Sequence, residues 1–530
     1  MPQRGRIVLV IAAAALSALA CQLLTIPGLP EFPAPPASTV PTVAPATPPP
    51  TATRLPLSIP PTIVIPPAAE VDPAQALLPE FASDADQFPD QTRYWIDTTI
   101  EFVSGELRAT LRGQARLRYV VPEGETIDSI PLMLWPNDPQ YDSVMTAGPA
   151  LVNGTLVEGE TDLGGIVLWL PLAEPAGAGD VLDISLPFEI EAGGPIGGFD
   201  PKRFGITEGV LAAPTAYPLV PRRIDGAWQV ETAPPGGDTT NSDTASYQVD
   251  LTVPDDMALA ASGVAIGSTV NGDGTVTARY LTGPMRDFAF ALGPFHSSED
   301  IVDGVVVRAW ALPEHSQDAD DMLDAATRQL GILNDLVGPY PYVELDVVDV
   351  PGAFGGIEYP GIVFIGTLGT SWLVEPTVHE VAHQWFYGLI GDDQLHEPWL
   401  DEALATYAEV LYYEETGQRG AAAGLLSQFR SWVRSHPDPT LPIGRGVGEY
   451  PDPDAYALFV YGKGALFLDA LRGEIGDEAF SEFLRSYFQQ ERYGFATGEA
   501  FQQAAETACG CDLDALFDLW VWVGGEIPGI

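Results

Sequence analysis

The stretch His379-Glu380-Val381-Ala382-His383, followed by Trp399-Leu400-Asp401-Glu402, decides how the rest of the chain is read. Its spacing predicts a helix over 376–389, on which His379 and His383 stand four apart and project from one face. Two imidazoles so placed can share a zinc ion, with Glu380 directed at the water that the metal binds. A catalytic zinc takes a third protein ligand and leaves its fourth position to water. Glu402 supplies that ligand from the next predicted helix, 400–416, with Gly417 as its stop. Pro376 suits the first turn of the histidine helix, Gly388 and Gly391 can end it, and residues 391–398 read as a polar turn. Glu409 lies on the same face as Glu402, where its carboxylate can hold the free N–H of a ligand histidine. The chain has only six histidines and two fall in this pattern, which argues against a chance run of solvated helix residues.

Two further motifs flank the pair. Gly355-Gly356-Ile357-Glu358-Tyr359 lies upstream, and Val460-Tyr461-Gly462-Lys463-Gly464 lies downstream. With His379-Glu380-Val381-Ala382-His383-Gln384-Trp385 and Trp399-Leu400-Asp401-Glu402-Ala403, they resemble, in order, the motifs of the gluzincin aminopeptidases, the family of aminopeptidase N and the leukotriene-type epoxide hydrolase-aminopeptidase. The resemblance covers residues 90–530 and is weaker before 340. It implies an α+β multidomain fold, an N-terminal antiparallel β saddle-like domain followed by a thermolysin-like zinc metallopeptidase domain. It also implies one Zn2+ per chain, held by His379, His383 and Glu402, and peptide substrates with a free N-terminus.

Each motif has a physical reason. Residues 343–350 and 361–366 read as strands, with the glycine-rich segment between them. Gly355 and Gly356 let a substrate peptide approach the sheet edge closely, where it can pair as an added strand. Glu358 at that edge would catch the substrate's α-ammonium, so that only the first peptide bond reaches the metal. Tyr461, on a helix predicted over 455–474, would donate its phenol to the oxyanion, and Tyr456 lies five residues before it. Glu380 is the expected general base.

The chain also departs from the family pattern. Tyr359 and Ile357 replace the usual asparagine and methionine, and Asp401 and Ala403 replace the asparagine and glycine beside the third ligand. The second amine anchor that relatives draw from the β-domain has no obvious equivalent near Thr215-Ala216-Tyr217-Pro218. The chain ends at Ile530, so the large helical C-terminal domain of longer members is expected to be missing and the cleft more open. An open-cleft zinc endopeptidase, a non-peptide (epoxide) hydrolase and a catalytically silent surface-binding lipoprotein are the competing expectations.

The front of the chain speaks to compartment. Arg4 and Arg6 precede an apolar run from Ile7 to Ala20, the form of a signal peptide. The run closes on Leu16-Ser17-Ala18-Leu19-Ala20-Cys21, which resembles a bacterial lipobox and predicts lipidation of Cys21. The expected layout is a lipoprotein signal peptide over 1–21, a Pro/Thr-rich disordered tether over 22–75, a β domain over 76–297 and a catalytic domain over 298–530. The enzyme is then expected outside the cytoplasm, lipid-anchored to a bacterial cell membrane. The net charge of −49, from 73 acids against 24 bases, makes nucleic acid and anionic lipid poor partners. Besides Cys21 only Cys509 and Cys511 occur, open to a tight disulfide or two free thiols.

Overall fold

The computed structural model describes residues 71–196, 203–234, 237, 242–352, 354–367 and 373–530. The expected signal peptide with Cys21, and nearly all of the tether, lie outside the described residues.

The described residues between 92 and 293 are built largely of strands whose apolar and polar positions alternate, as Arg108–Val120 shows with Ala109, Leu111, Ala115, Leu117 and Tyr119 buried. Their main sheet runs Val264–Val270, Thr275–Leu281, Ala245–Pro254, Thr92–Phe102, Arg108–Val120, Val181–Gly193 and then short strands. The antiparallel expectation needs one correction. Thr92–Phe102 pairs in parallel with Ala245–Pro254, from Thr92 opposite Ala245 to Thr99 opposite Thr252. A parallel neighbour requires a long return of chain, and here the intervening strands supply it. Tyr94, Tyr217 and Tyr247 cluster at the centre of this domain's core.

The second body opens with a five-stranded sheet in the order His296–Val302, Val305–Ala311, Glu344–Val350, Ile362–Gly366, Gly356–Tyr359. The helix Ser316–Leu336 makes the crossover between the parallel strands Val305–Ala311 and Glu344–Val350. Glu344–Val350 is buried along its whole length although it carries three acids. Each acid has a partner. Arg308 reaches Glu344 at 2.6 Å, Trp310 Nε1 donates to Asp346 at 2.9 Å, and Asp349 receives Thr367 Oγ1 and the backbone N–H of Leu312. A central strand can keep buried carboxylates only on such terms.

Helices then dominate: Val374–Ala382, Trp399–Glu415, Arg419–Ser435, Gly464–Ile475, Asp477–Glu491 and Gly498–Cys509. One apolar core joins them to the sheet. Leu77, Leu78 and Ala85, expected at the head of the β domain, belong to this core, and Leu78 N–H donates to Pro341 O. Cys509 and Cys511 are joined by a disulfide. Among the described residues no helix is long and apolar enough to cross a membrane.

Candidate metal centre and active site

The histidine helix is shorter than its sequence pattern suggests. It runs Val374–Ala382 and stops at His383, where 376–389 was expected. Beyond it the chain widens into turns, with the N–H groups of Gly388, Leu389 and Ile390 bonded five residues back to His383, Gln384 and Trp385. At the tip of this turn Tyr387 adopts φ 127°, a conformation that costs a residue with a Cβ. Groups from the β domain hold it there. Arg286 Nε donates to the Tyr387 carbonyl at 2.9 Å, and the Tyr387 hydroxyl donates to Asp287. Gly391 has no side chain because the Arg286 guanidinium lies over its Cα, where a Cβ would stand 2.1 Å from Cζ.

The turn orients a ligand. His383 Nδ1–H donates to Phe386 O at 2.9 Å, and His379 Nδ1 meets Glu409 Oε1 at 3.1 Å. Both rings thereby present Nε2 to a common point. The two Nε2 atoms lie 3.1 Å apart, and Glu402 Oε2 lies 3.1 Å from one and 3.3 Å from the other. Tetrahedral zinc with bonds near 2.1 Å would set its ligand atoms roughly 3.4 Å apart. Two imidazole nitrogens and a carboxylate oxygen in a triangle of that size, all buried, fit zinc in charge, donor type and spacing. The charges around the site favour a cation. Burial opposes charge on the imidazoles, yet hydrogen bonds from Glu402 and Glu409 hold His379 well above the ordinary histidine range. His383 is raised to about 10, with burial opposing and the charges of Glu358 and Glu402 prevailing. Burial likewise works against Glu402, but the two imidazoles hold its carboxylate far below the usual range. The pocket is built to enclose positive charge.

Glu380 is buried on the same helix, and its carboxylate packs on Gly356. A Cβ at 356 would stand 2.3 Å from Glu380 Cγ, so the glycine makes room for the carboxylate. Gly356–Tyr359 forms the edge strand of the five-stranded sheet, antiparallel to Ile362–Gly366. Gly355 O accepts from Gly366 N–H at 3.0 Å. Gln384 fastens helix to edge by donating to Tyr359 O and accepting Gly361 N–H. Glu358 is buried within ligand-atom reach of Glu380 and His383.

Tyr461 stands on a π-helical turn, Leu458–Lys463, that interrupts the helix expected over 455–474. Such turns recur at functional sites because the extra residue re-aims a side chain. Gly464 allows the close approach, since a Cβ there would lie 2.5 Å from that of Ala403. The Tyr461 ring stacks on His379, and its hydroxyl donates to Glu402 Oε1 at 2.5 Å. Tyr456 meets Tyr461 and Tyr450 edge-on. Tyr217, from the stretch searched for a second amine anchor, is buried in the β core and accepts Phe288 N–H.

Sequence reasoning missed several participants. The polar turn 391–398 is largely buried: Asp392 and Gln394 are each 4 % exposed. Gln394 Nε2 donates both to Glu358 Oε1 at 2.9 Å and to Asp401 Oδ2 at 3.0 Å. Burial pushes the Asp392 and Asp401 carboxyls well above their usual range. Asp401 in place of asparagine was the one visible signal; nothing local marks Arg286, Asp287 or Tyr387.

Residues 322–520 match the family model described as Peptidase family M1 domain. The chain is 26% identical over 306 residues to Aminopeptidase M1-B of Oryza sativa subsp. japonica, covering 52% of this chain and 34% of that one. It is 27% identical over 260 residues to Aminopeptidase N of Lactobacillus helveticus, covering 44% and 30%. The chain thus spans about a third of the length of these curated relatives. In fold it is similar to an M1 zinc metallopeptidase variant from Deinococcus radiodurans crystallised with a Tyr-Ser-Ala substrate. That likeness has a TM-score of 0.63 at 22% identity, over 83% of this chain and 95% of the other.

Proposed function

From a chain that carries a Peptidase family M1 domain, we propose a zinc-dependent aminopeptidase that hydrolyses the N-terminal peptide bond of extracellular peptides. The observation that carries the reading is the triangle of His379, His383 and Glu402 with Glu380 and Glu358 beside it. Zinc held by those three residues would supply a Lewis acid and a water of lowered pKa. Glu380, the general base, takes the proton of the attacking water and returns it to the leaving amine. Tyr461 donates its phenol to the carbonyl oxygen as negative charge develops, leaving its resting partner on Glu402. Glu409 fixes the His379 ring through Nδ1. Glu358 receives the substrate's α-ammonium while the peptide lies along the edge strand at Gly355 and Gly356.

The aminopeptidase relatives and the tripeptide bound by the Deinococcus enzyme support a peptide substrate for this chain. Residues 1–21 support export, with lipidated Cys21 anchoring the enzyme to the outer face of a bacterial cell membrane. The test is a matched pair, one peptide with a free N-terminus and one N-acetylated, given to the zinc-loaded protein. Release of the first residue from the free peptide alone is expected. Cleavage of both would make this an open-cleft endopeptidase, and cleavage of neither by protein shown to hold zinc would remove the peptidase reading.

A further inference from the structure

Glu358 does not stand alone at the edge of the sheet. Buried carboxylates surround His383: Glu358 from the edge strand and Glu402 from the next helix lie within ligand-atom reach of it, and Asp401 on that same helix is near enough to feel its charge. Carboxyl groups this close in a site of low dielectric need donors between them to keep fixed positions. One neutral side chain stands between two of them. The Gln394 amide spends both of its protons there, one on Glu358 Oε1 and one on Asp401 Oδ2. Asp401 is fixed from its other side, where Oδ1 accepts the backbone N–H of Glu402 at 2.7 Å. The amide is therefore referenced to the backbone of the third ligand itself. Gln394 belongs to the turn between the two ligand-bearing helices and is buried, so its amide cannot exchange these partners for water.

We infer that Gln394 is the positioning residue of the amine-binding site, holding the Glu358 carboxylate at a fixed distance from the metal ligands through Asp401. The inference rests on the reading of Glu358 as the anchor for the substrate's α-ammonium. Gln394 satisfies one oxygen of Glu358 and so sets the direction in which the carboxylate meets the ammonium. It also separates Glu358 from Asp401 without adding charge. Its effect falls on recognition of the free amine, and proton transfer by Glu380 does not pass through it.

Gln394→Met keeps the length of the side chain and removes both donors. The zinc-loaded full chain carrying it should show a KM for a free-amine tripeptide raised about tenfold, the loss expected of a hydrogen bond to a charged group, with kcat changed far less. An amino-acid hydroxamate should lose affinity by a similar factor, while its des-amino counterpart should bind as before, a difference that general damage to the fold would not produce. In the double variant with Glu358→Ala the effect of Gln394→Met should vanish, because its route is gone. Gln394→Asn, which keeps the amide but is one methylene shorter and draws it back from both carboxylates, serves if the methionine variant fails to fold and should shift KM and hydroxamate affinity in the same direction. An unchanged KM and hydroxamate preference in the Gln394 variants, with Glu358→Ala impaired for free amines, overturns the inference and leaves the aminopeptidase reading standing. No preference for the free amine lost in Glu358→Ala overturns that reading, and the inference with it.

Discussion

Glu380 and Gly356 form one arrangement seen from two sides. The carboxylate occupies the volume that any side chain at 356 would fill, and the edge strand in turn limits where the carboxylate can go. A general base works through its position as much as its basicity, and removing one typically costs 10²–10⁴-fold. Glu380→Gln is therefore expected to lower kcat by about 10³-fold while metal analysis finds zinc unchanged, because Glu380 lies outside the proposed triangle of His379, His383 and Glu402. Gly356→Ala retains the carboxylate but displaces it, and its kcat should fall in the same direction. Near-normal turnover in the glutamine variant would take the general-base role from Glu380.

At the scale of elements, the site depends on two helices approaching closely. Gly464 meets Ala403 where the tyrosine-bearing segment crosses the helix of Glu402, and this contact brings the Tyr461 hydroxyl to Glu402. Lys463 secures the same segment from behind, its buried ammonium donating to Pro439 O and Leu441 O. A branched side chain at 464 would force the helices apart. Gly464→Val is expected to cost about 1–3 kcal/mol of stability, as overpacking does, and to reduce kcat through Tyr461. Thermal unfolding and steady-state kinetics check both effects. A variant with unaltered Tm and kcat would show that the approach is not needed.

For the molecule as a whole, the β domain does more than precede the catalytic body. Arg286 and Asp287 cross to Tyr387, and Tyr387 shapes the turn whose Phe386 carbonyl fixes His383. Burial pushes the Asp287 carboxyl up to about 7, with the Tyr387 hydroxyl and the Arg286 charge pulling the other way. An acid whose pKa is raised on folding binds more protons in the native state than in the unfolded one. Its contribution to stability is present below the unfolded value and is lost as pH rises through about 7. Asp287→Asn removes this dependence and keeps an acceptor for the tyrosine. The Tm of the variant relative to the unmodified protein should therefore be more favourable at pH 8 than at pH 5. Parallel Tm–pH curves for the two proteins would refute the assignment.

Much of this protein was determined by local sequence. Residues four apart on a helix share a face whatever surrounds them, and alternating strands bury one side. The histidine pair, Glu402 and Glu409 could therefore be picked out from spacing and residue type, the edge glycines from their resemblance to a family motif, and most helix and strand limits followed within a few residues. The end of the histidine helix at Ala382 could not, because the turn beyond it is held by Arg286 and Asp287, a hundred residues away in the chain. The π-helical turn under Tyr461 escaped as well, for it leads into Gly464, which packs on Ala403 of another helix. Gln394 read as a residue of a solvated polar turn, and only the fold that buries this turn between Glu358 and Asp401 gave its amide two carboxylates to hold. Spacing decides which side chains share an element; burial and long-range partners, which depend on the whole chain folding back on itself, decide what each of them touches.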